Sequence, residues 1–178
     1  MRVLVTYGSK RGGTEGIARW LAQALRDEGL DAEVAAPQDV GDVSGYGAVI
    51  VGGSLYANRW HRDARRFVHR HARRLRERPT WFFSSGPLDA SASDGDLPPT
   101  PQVRALMEQV HASGHMTFGG RLEADARGFL ARSMAREHAG DWRDLEQLRR
   151  WAASLAEALA LVGDLGPAPR GSESHVPF

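Results

Sequence analysis

Three consecutive apolar residues, Val3-Leu4-Val5, lead through Thr6-Tyr7-Gly8 into Ser9-Lys10-Arg11-Gly12-Gly13-Thr14, and a helical repeat opens directly behind them. An apolar run without alternation suits a strand buried on both faces, as in a parallel sheet, and parallel neighbours need crossover connections that usually carry helices. That narrows the chain to the alternating α/β class. Gly12 and Gly13 let the backbone approach a ligand closely, Ser9 and Thr14 add hydroxyls, and the first helical N–H groups carry partial positive charge. Such a loop binds anions, and a phosphate fits it. Neither G-x-x-x-x-G-K-[ST] nor G-x-G-x-x-G occurs in the chain, which speaks against the nucleotides those loops hold. A glycine-rich strand-to-helix turn without ligand is the competing reading of this loop taken alone.

The alternation continues. Ile17, Leu21 and Leu25 recur at a spacing of four, with Ala18, Trp20 and Ala24 nearby, and Gly29 stops this first helix. Leu30 to Ala36 reads as an edge strand ended by Pro37. Ala48-Val49-Ile50-Val51 is a second buried strand, running into the loop Gly52 to Trp60. From Trp60 a helix places Ala64, Phe67, Val68, His71 and Leu75 on one face and most of its arginines outside; Pro79 closes it. Thr80 to Ser84 forms the central strand, followed by Ser85-Gly86-Pro87-Leu88-Asp89 and a flexible Ala90 to Pro99. Thr100 and Pro101 start a capped helix buried through Val103, Leu106, Met107 and Val110, ending at Gly114, and His115 to Phe118 is the last strand. Gly119 to Gly140 is an extra segment with a helical pattern at Phe129, Leu130, Met134 and Ala135. A final helix begins at Asp144, with Gln147 completing a capping box.

At 178 residues the chain is one domain by size. We expect it to span 1–162, with 163–178 as a mobile tail. It has no cysteine, which removes disulfides, thiolate catalysis and zinc–thiolate sites. The N-terminal apolar run is too short for a signal peptide and no stretch approaches a membrane span, so a cytoplasmic location is expected. Formal net charge is +1, and Lys10 is the single lysine. The arginines cluster between Arg59 and Arg78, a local excess that reads first as a solvated helix face. Without interleaved aromatics or a known motif it argues poorly for nucleic acid. His61, His69 and His71 lack carboxylate or cysteine companions at metal-site spacing, so no metal site is assigned.

Three of these loops resemble one family. Ser9-Lys10-Arg11-Gly12-Gly13-Thr14 resembles the [ST]-x-T-G-x-T phosphate loop of the flavodoxins at its first, fourth and last positions. Arg11 departs from it, replacing a neutral hydroxyl with a cation. Gly53-Ser54-Leu55-Tyr56-Ala57-Asn58-Arg59-Trp60 and Ser84-Ser85-Gly86-Pro87 resemble the flavodoxin-domain branch that includes menaquinone-type protoporphyrinogen oxidases. The resemblance implies a doubly wound α/β fold, with five parallel strands ordered 2-1-3-4-5 and helices on both faces. It also implies noncovalent FMN: the phosphate on Ser9, Lys10, Arg11, Gly12, Gly13 and Thr14; the ring along Ser54, Leu55, Tyr56, Ala57 and Asn58; its pyrimidine edge on Ser85, Gly86, Pro87, Leu88 and Asp89. A receiver domain shares the strand order but needs an acidic cluster after the first strand and an aspartate after the third. Tyr7-Gly8 and Gly52-Gly53 supply neither.

A flavin carries its own redox chemistry, so no catalytic acid or base is assigned. Three functions stay open at this point. One is an FMN oxidoreductase of the quinone-coupled, protoporphyrinogen-oxidase-like branch, with a quinone or porphyrinogen as substrate. The second is a one-electron carrier between redox proteins, and the third an interaction module without FMN. Peripheral membrane contact is compatible with the first, and the sequence is silent on oligomeric state.

Overall fold

In the computed structural model, the residues described are 1–9, 12–86, 97–119, 121–122, 140–141 and 144–164. Strand β1 (Arg2–Gly8) is buried on both faces, as its apolar run predicts. Behind the loop, α1 (Gly13–Asp27) buries Ile17, Ala18, Leu21 and Leu25. It ends as expected near Gly29, where the Leu30 N–H reaches back to the Leu25 carbonyl at 3.0 Å. Then follow β2 (Asp31–Ala35), β3 (Ala48–Tyr56), β4 (Arg59–Trp60), α2 (Arg62–Arg76), β5 (Thr80–Ser85), α3 (Pro101–Val110), β6 (Gly114–Phe118), β7 (Arg121–Leu122), β8 (Gly140–Asp141) and α4 (Leu145–Asp164).

The main sheet has the order β2-β1-β3-β5-β6, with every neighbouring pair parallel. This is the expected 2-1-3-4-5 order once the two-residue β4, which pairs antiparallel with the end of β3, is counted separately. Helices cover both faces. On one, α1 and α4 enclose Val3, Val5, Ile50, Trp81 and Phe83, with Trp151 set edge-on to Phe83 and Phe118 at 6.4 and 5.5 Å. On the other, α2 and α3 enclose Leu4, Val49, Val51, Phe82 and Trp60. Alternate residues of β1 thus feed two cores, which is why Val3 to Val5 are all apolar.

Several boundaries differ from the sequence reading, each for a packing reason. β3 does not stop at Val51; Gly52, Gly53 and Ser54 continue it, paired with Phe83, Ser84 and Ser85. A Cβ on Gly52 would stand 2.0 Å from the Phe83 ring, and one on Gly53 would stand 2.6 Å from the Trp60 indole. The two glycines therefore make room for aromatic rings on opposite faces of the sheet rather than opening a loop. Trp60 belongs to β4, and the arginine-rich helix starts only at Arg62. Thr100 does sit at the N-cap of α3, but its side chain makes no cap hydrogen bond, and its buried Oγ1 has no partner among the described residues. Gly114 opens β6 instead of closing α3, because His111 already ends that helix in the left-handed region at φ 54°. Asp144 caps α4 through the Glu146 and Gln147 amides at 2.8 and 3.2 Å, while Gln147 Nε2 donates to the Thr117 carbonyl at 3.5 Å. The helix expected around Phe129 to Ala135, and the tail from residue 165 onward, lie outside the described residues.

Candidate functional site at the carboxyl ends of the central strands

The three suspected segments meet because their strands are neighbours. Gly8 at the end of β1 pairs with Gly53, and Ser54 pairs with Ser85. Open parallel sheets bind ligands at this edge, where the strand order reverses. Ser9 and Gly12 to Thr14 follow β1, Ser54 to Asn58 finish β3 and its turn, and Ser85 and Gly86 finish β5. Lys10, Arg11, Pro87, Leu88 and Asp89 lie outside the described residues.

The loop after β1 ends at Gly12, which takes φ 77° as the N-cap of α1, a conformation that disfavours side chains. Gly12 offers no side chain to cap the helix, so the first-turn amides that need outside acceptors receive none from it. Thr14 lies in that turn at 1% exposure, and its Oγ1 has no hydrogen-bond partner among the described residues. An unpaired buried hydroxyl costs about 1–3 kcal/mol, which an added hydrogen-bond acceptor would offset. A phosphate oxygen is such an acceptor. The first-turn acid, Glu15, would oppose an anion, but Arg19 pairs with it at 2.7 Å. Burial first, and then the Glu15 carboxylate, push the neighbouring Tyr7 hydroxyl above the usual tyrosine range, which keeps it a neutral donor.

The stretch read as a ring loop is a tight hairpin. Leu55 faces Trp60 and Tyr56 faces Arg59, leaving Ala57 and Asn58 as a two-residue turn, both with positive φ (47° and 60°). That is the dihedral pattern of a type I′ turn, whose twist matches the flanking strands. Tyr56 is 51% exposed at its shoulder, free to cover a planar ligand. Trp60 is the hairpin's anchor. Its amide donates to Gln102 Oε1 at 3.0 Å and its ring lies 4.9 Å from that of Phe82. Its Nε1 donates to Ser84 Oγ at 2.8 Å, and Ser84 Oγ lies 2.8 Å from His115 Nε2. Indole nitrogen can only donate, so Ser84 accepts from Trp60, and its oxygen shares a second hydrogen bond with His115 Nε2. The other ring nitrogen, Nδ1, is buried with no partner among the described residues. Burial holds His115 far below the usual histidine range, at about 4.

Sequence reasoning missed this anchor. Ser84, Gln102 and His115 come from three separate elements, and the one available signal was the glycine pair in a strand, a mark of close ring approach. It also misread part of the arginine cluster. Arg70 donates to the Pro37 and Val40 carbonyls, Arg78 to those of Val43 and Tyr46, and Arg76 to that of Gln109. Three arginines of the cluster therefore satisfy backbone oxygens of neighbouring segments. His71 is buried as expected; Arg70 Nε donates to its Nε2, and burial lowers its proton affinity. No group of three or more metal-ligating side chains occurs among the described residues.

The flavodoxin domain family matches residues 4–139, more than half of the chain. This chain belongs to the flavodoxin family. Members of that family usually bind FMN. Among its relatives is the protoporphyrinogen IX dehydrogenase [quinone] of Escherichia coli K12, 31% identical over 86 residues, which is 47% of this chain and 48% of that protein. The flavodoxin chain thus spans about half the length of the curated relatives it matches first. A bifunctional cytochrome P450/NADPH–P450 reductase of Bacillus cereus is 30% identical over 149 residues, 81% of this chain and 14% of that protein. Among solved structures, an archaeal flavodoxin superposes with a TM-score of 0.62 at 15% identity, over 90% of this chain and 99% of that one. At that identity the likeness speaks for the fold alone. No helix among the described residues is long and apolar enough to cross a membrane.

Proposed function

We propose that this flavodoxin-domain protein binds FMN noncovalently and acts as a quinone-coupled oxidoreductase on a small organic donor of the porphyrinogen type. The observation that carries the cofactor is the Thr14 hydroxyl, buried with no partner among the described residues, in the first turn of a helix to which Gly12 offers no side-chain cap. Ser9, Lys10, Arg11, Gly12, Gly13 and Thr14 would hold the phosphate. Ser54, Leu55, Tyr56, Ala57 and Asn58 would line the ring, with Ser85, Gly86, Pro87, Leu88 and Asp89 at its polar edge. The bound flavin supplies the redox step, in which the donor loses two electrons and two protons and the quinone becomes a quinol. The chain's own share is to fix the ring through the Trp60 anchor and to leave Tyr56 and Arg59 exposed beside it.

Similarity to the E. coli quinone-linked dehydrogenase supports the enzyme reading. A carrier passing single electrons between proteins is the second reading, favoured by the longer similarity to the P450 reductase. The deciding experiment starts from the absorption spectrum of the purified protein with and without added FMN; no flavin bands in either would leave an interaction module. The reduced holoprotein is then mixed with a soluble quinone. Turnover, and a greater loss with anionic than with neutral substrates in Arg59→Glu and Arg62→Glu, supports the oxidoreductase. No quinone turnover, together with rapid exchange with a ferredoxin-type reductase, supports the carrier.

A further inference from the structure

His61 stands between the two segments that the cofactor reading needs. Gly8 is the last residue of β1 before the loop, and a Cβ built on it would lie 2.7 Å from the Ala64 amide nitrogen and 3.1 Å from His61 Cβ. The start of α2 therefore packs directly on the end of β1, closer than any side chain there would allow. On its other side, the His61 amide donates to the Ser54 carbonyl at 2.9 Å, which ties it to the hairpin.

The ring's chemistry is restricted by its own helix. His61 is the N-cap of α2, and its Nδ1 accepts the Asp63 N–H at 3.4 Å. With Nδ1 an acceptor, the neutral imidazole carries its hydrogen on Nε2. The Asp63 carboxylate lies 3.7 Å from Nδ1. The Asp63 charge itself is partly offset by Arg62 at 3.6 Å. Nε2 has no partner among the described residues, and the side chain is 22% exposed. A partly covered donor thus belongs to a residue packed against Gly8, the residue before Ser9, while the Thr14 hydroxyl beyond the loop has no partner among the described residues.

The geometry points to His61 as a phosphate-binding residue, donating from Nε2 to the FMN phosphate from the α2 side of the loop. This rests on the FMN reading above and adds to it a donor from outside the loop. Histidine was considered for metal ligation in the sequence reading, whereas its position against Gly8 directs it to an anion.

The test compares FMN with riboflavin, which lacks the phosphate, by fluorescence titration of the apoprotein. His61→Asn keeps a good N-cap acceptor for α2 but is too short to replace the imidazole donor. We expect it to weaken FMN by about tenfold or more, the size of one charge-assisted hydrogen bond, while riboflavin affinity and the urea midpoint stay at wild-type values. His61→Leu should show the same loss for FMN and, in addition, a lower urea midpoint from the lost cap. Unchanged FMN affinity in both variants overturns the assignment. So does an equal loss for FMN and riboflavin, which would mean that His61 acts only by positioning the hairpin. A wild-type protein that binds FMN no more tightly than riboflavin refutes the phosphate site itself, a separate failure visible before any variant is made.

Discussion

Replacing Thr14 with valine should move stability and cofactor affinity in opposite directions. The substitution keeps the β-branched shape and removes only the hydroxyl, whose oxygen is buried with no partner among the described residues. In the apoprotein, that oxygen costs about 1–3 kcal/mol of desolvation that no internal bond returns. Thr14→Val should therefore stabilise the apoprotein by about 1 kcal/mol, or raise its melting temperature by about 2–4 °C for a chain of this size. With FMN present the sign reverses. The hydroxyl would donate to a charged phosphate, a bond of about 1.5–3 kcal/mol, so the dissociation constant should rise by roughly 10- to 150-fold. Urea denaturation of the apoprotein and fluorescence titration with FMN measure the two halves on one preparation. A variant that binds FMN like the wild type, or an apoprotein that loses stability, would refute the reasoning, because the hydroxyl would then have a partner within the chain.

Two further perturbations probe the scaffold around the site. His115 is held at about 4 in the folded protein by burial, against 6.5 when exposed. Between those values the unfolded chain binds the extra proton, so stability should be complete above pH 6.5 and fall toward pH 4, by up to about 3 kcal/mol. His115→Gln, which keeps a hydrogen-bonding group for Ser84 but does not titrate, should flatten that fall in urea midpoints; an unchanged pH profile would show that His115 is not its source. Arg78→Met should leave the Val43 and Tyr46 carbonyls without their guanidinium donor. A loss of about 1–3 kcal/mol with unaltered FMN affinity is expected, and an unchanged urea midpoint would return this arginine to the solvated face.

The fold was legible because its signals are local and repeat. Val3 to Val5, Ala48 to Val51 and Trp81 to Phe83 are apolar runs without alternation, and Ile17, Leu21 and Leu25 keep one helical face, so the strand–helix alternation follows from neighbours in sequence. The glycines and hydroxyls of residues 9 to 14 belong to the same class of signal, since a loop between strand and helix is made by consecutive residues. The Gly52-Gly53 pair was visible too, but its meaning was not. A glycine required for a turn and a glycine required by an approaching ring look alike until Phe83 and Trp60 are in place.

What the residue order determined by itself was the set of elements, their buried faces and the chemistry of each strand end. It also carried the family membership, because the loops that resemble flavodoxins are contiguous stretches. Only the tertiary structure decided how side chains far apart in the chain are shared. Trp60, Ser84, Gln102 and His115 come together because β3, β5 and β6 lie side by side with α3 packed over them. Arg70 and Arg78 pass from a charged face to backbone donors only once the segment from Pro37 to Tyr46 folds against α2. His61 meets Gly8 only across the sheet edge. Hydrophobic periodicity reports which side of an element is buried, whereas a hydrogen bond needs a direction and a partner, and the partner's position is set by the packing of the whole chain.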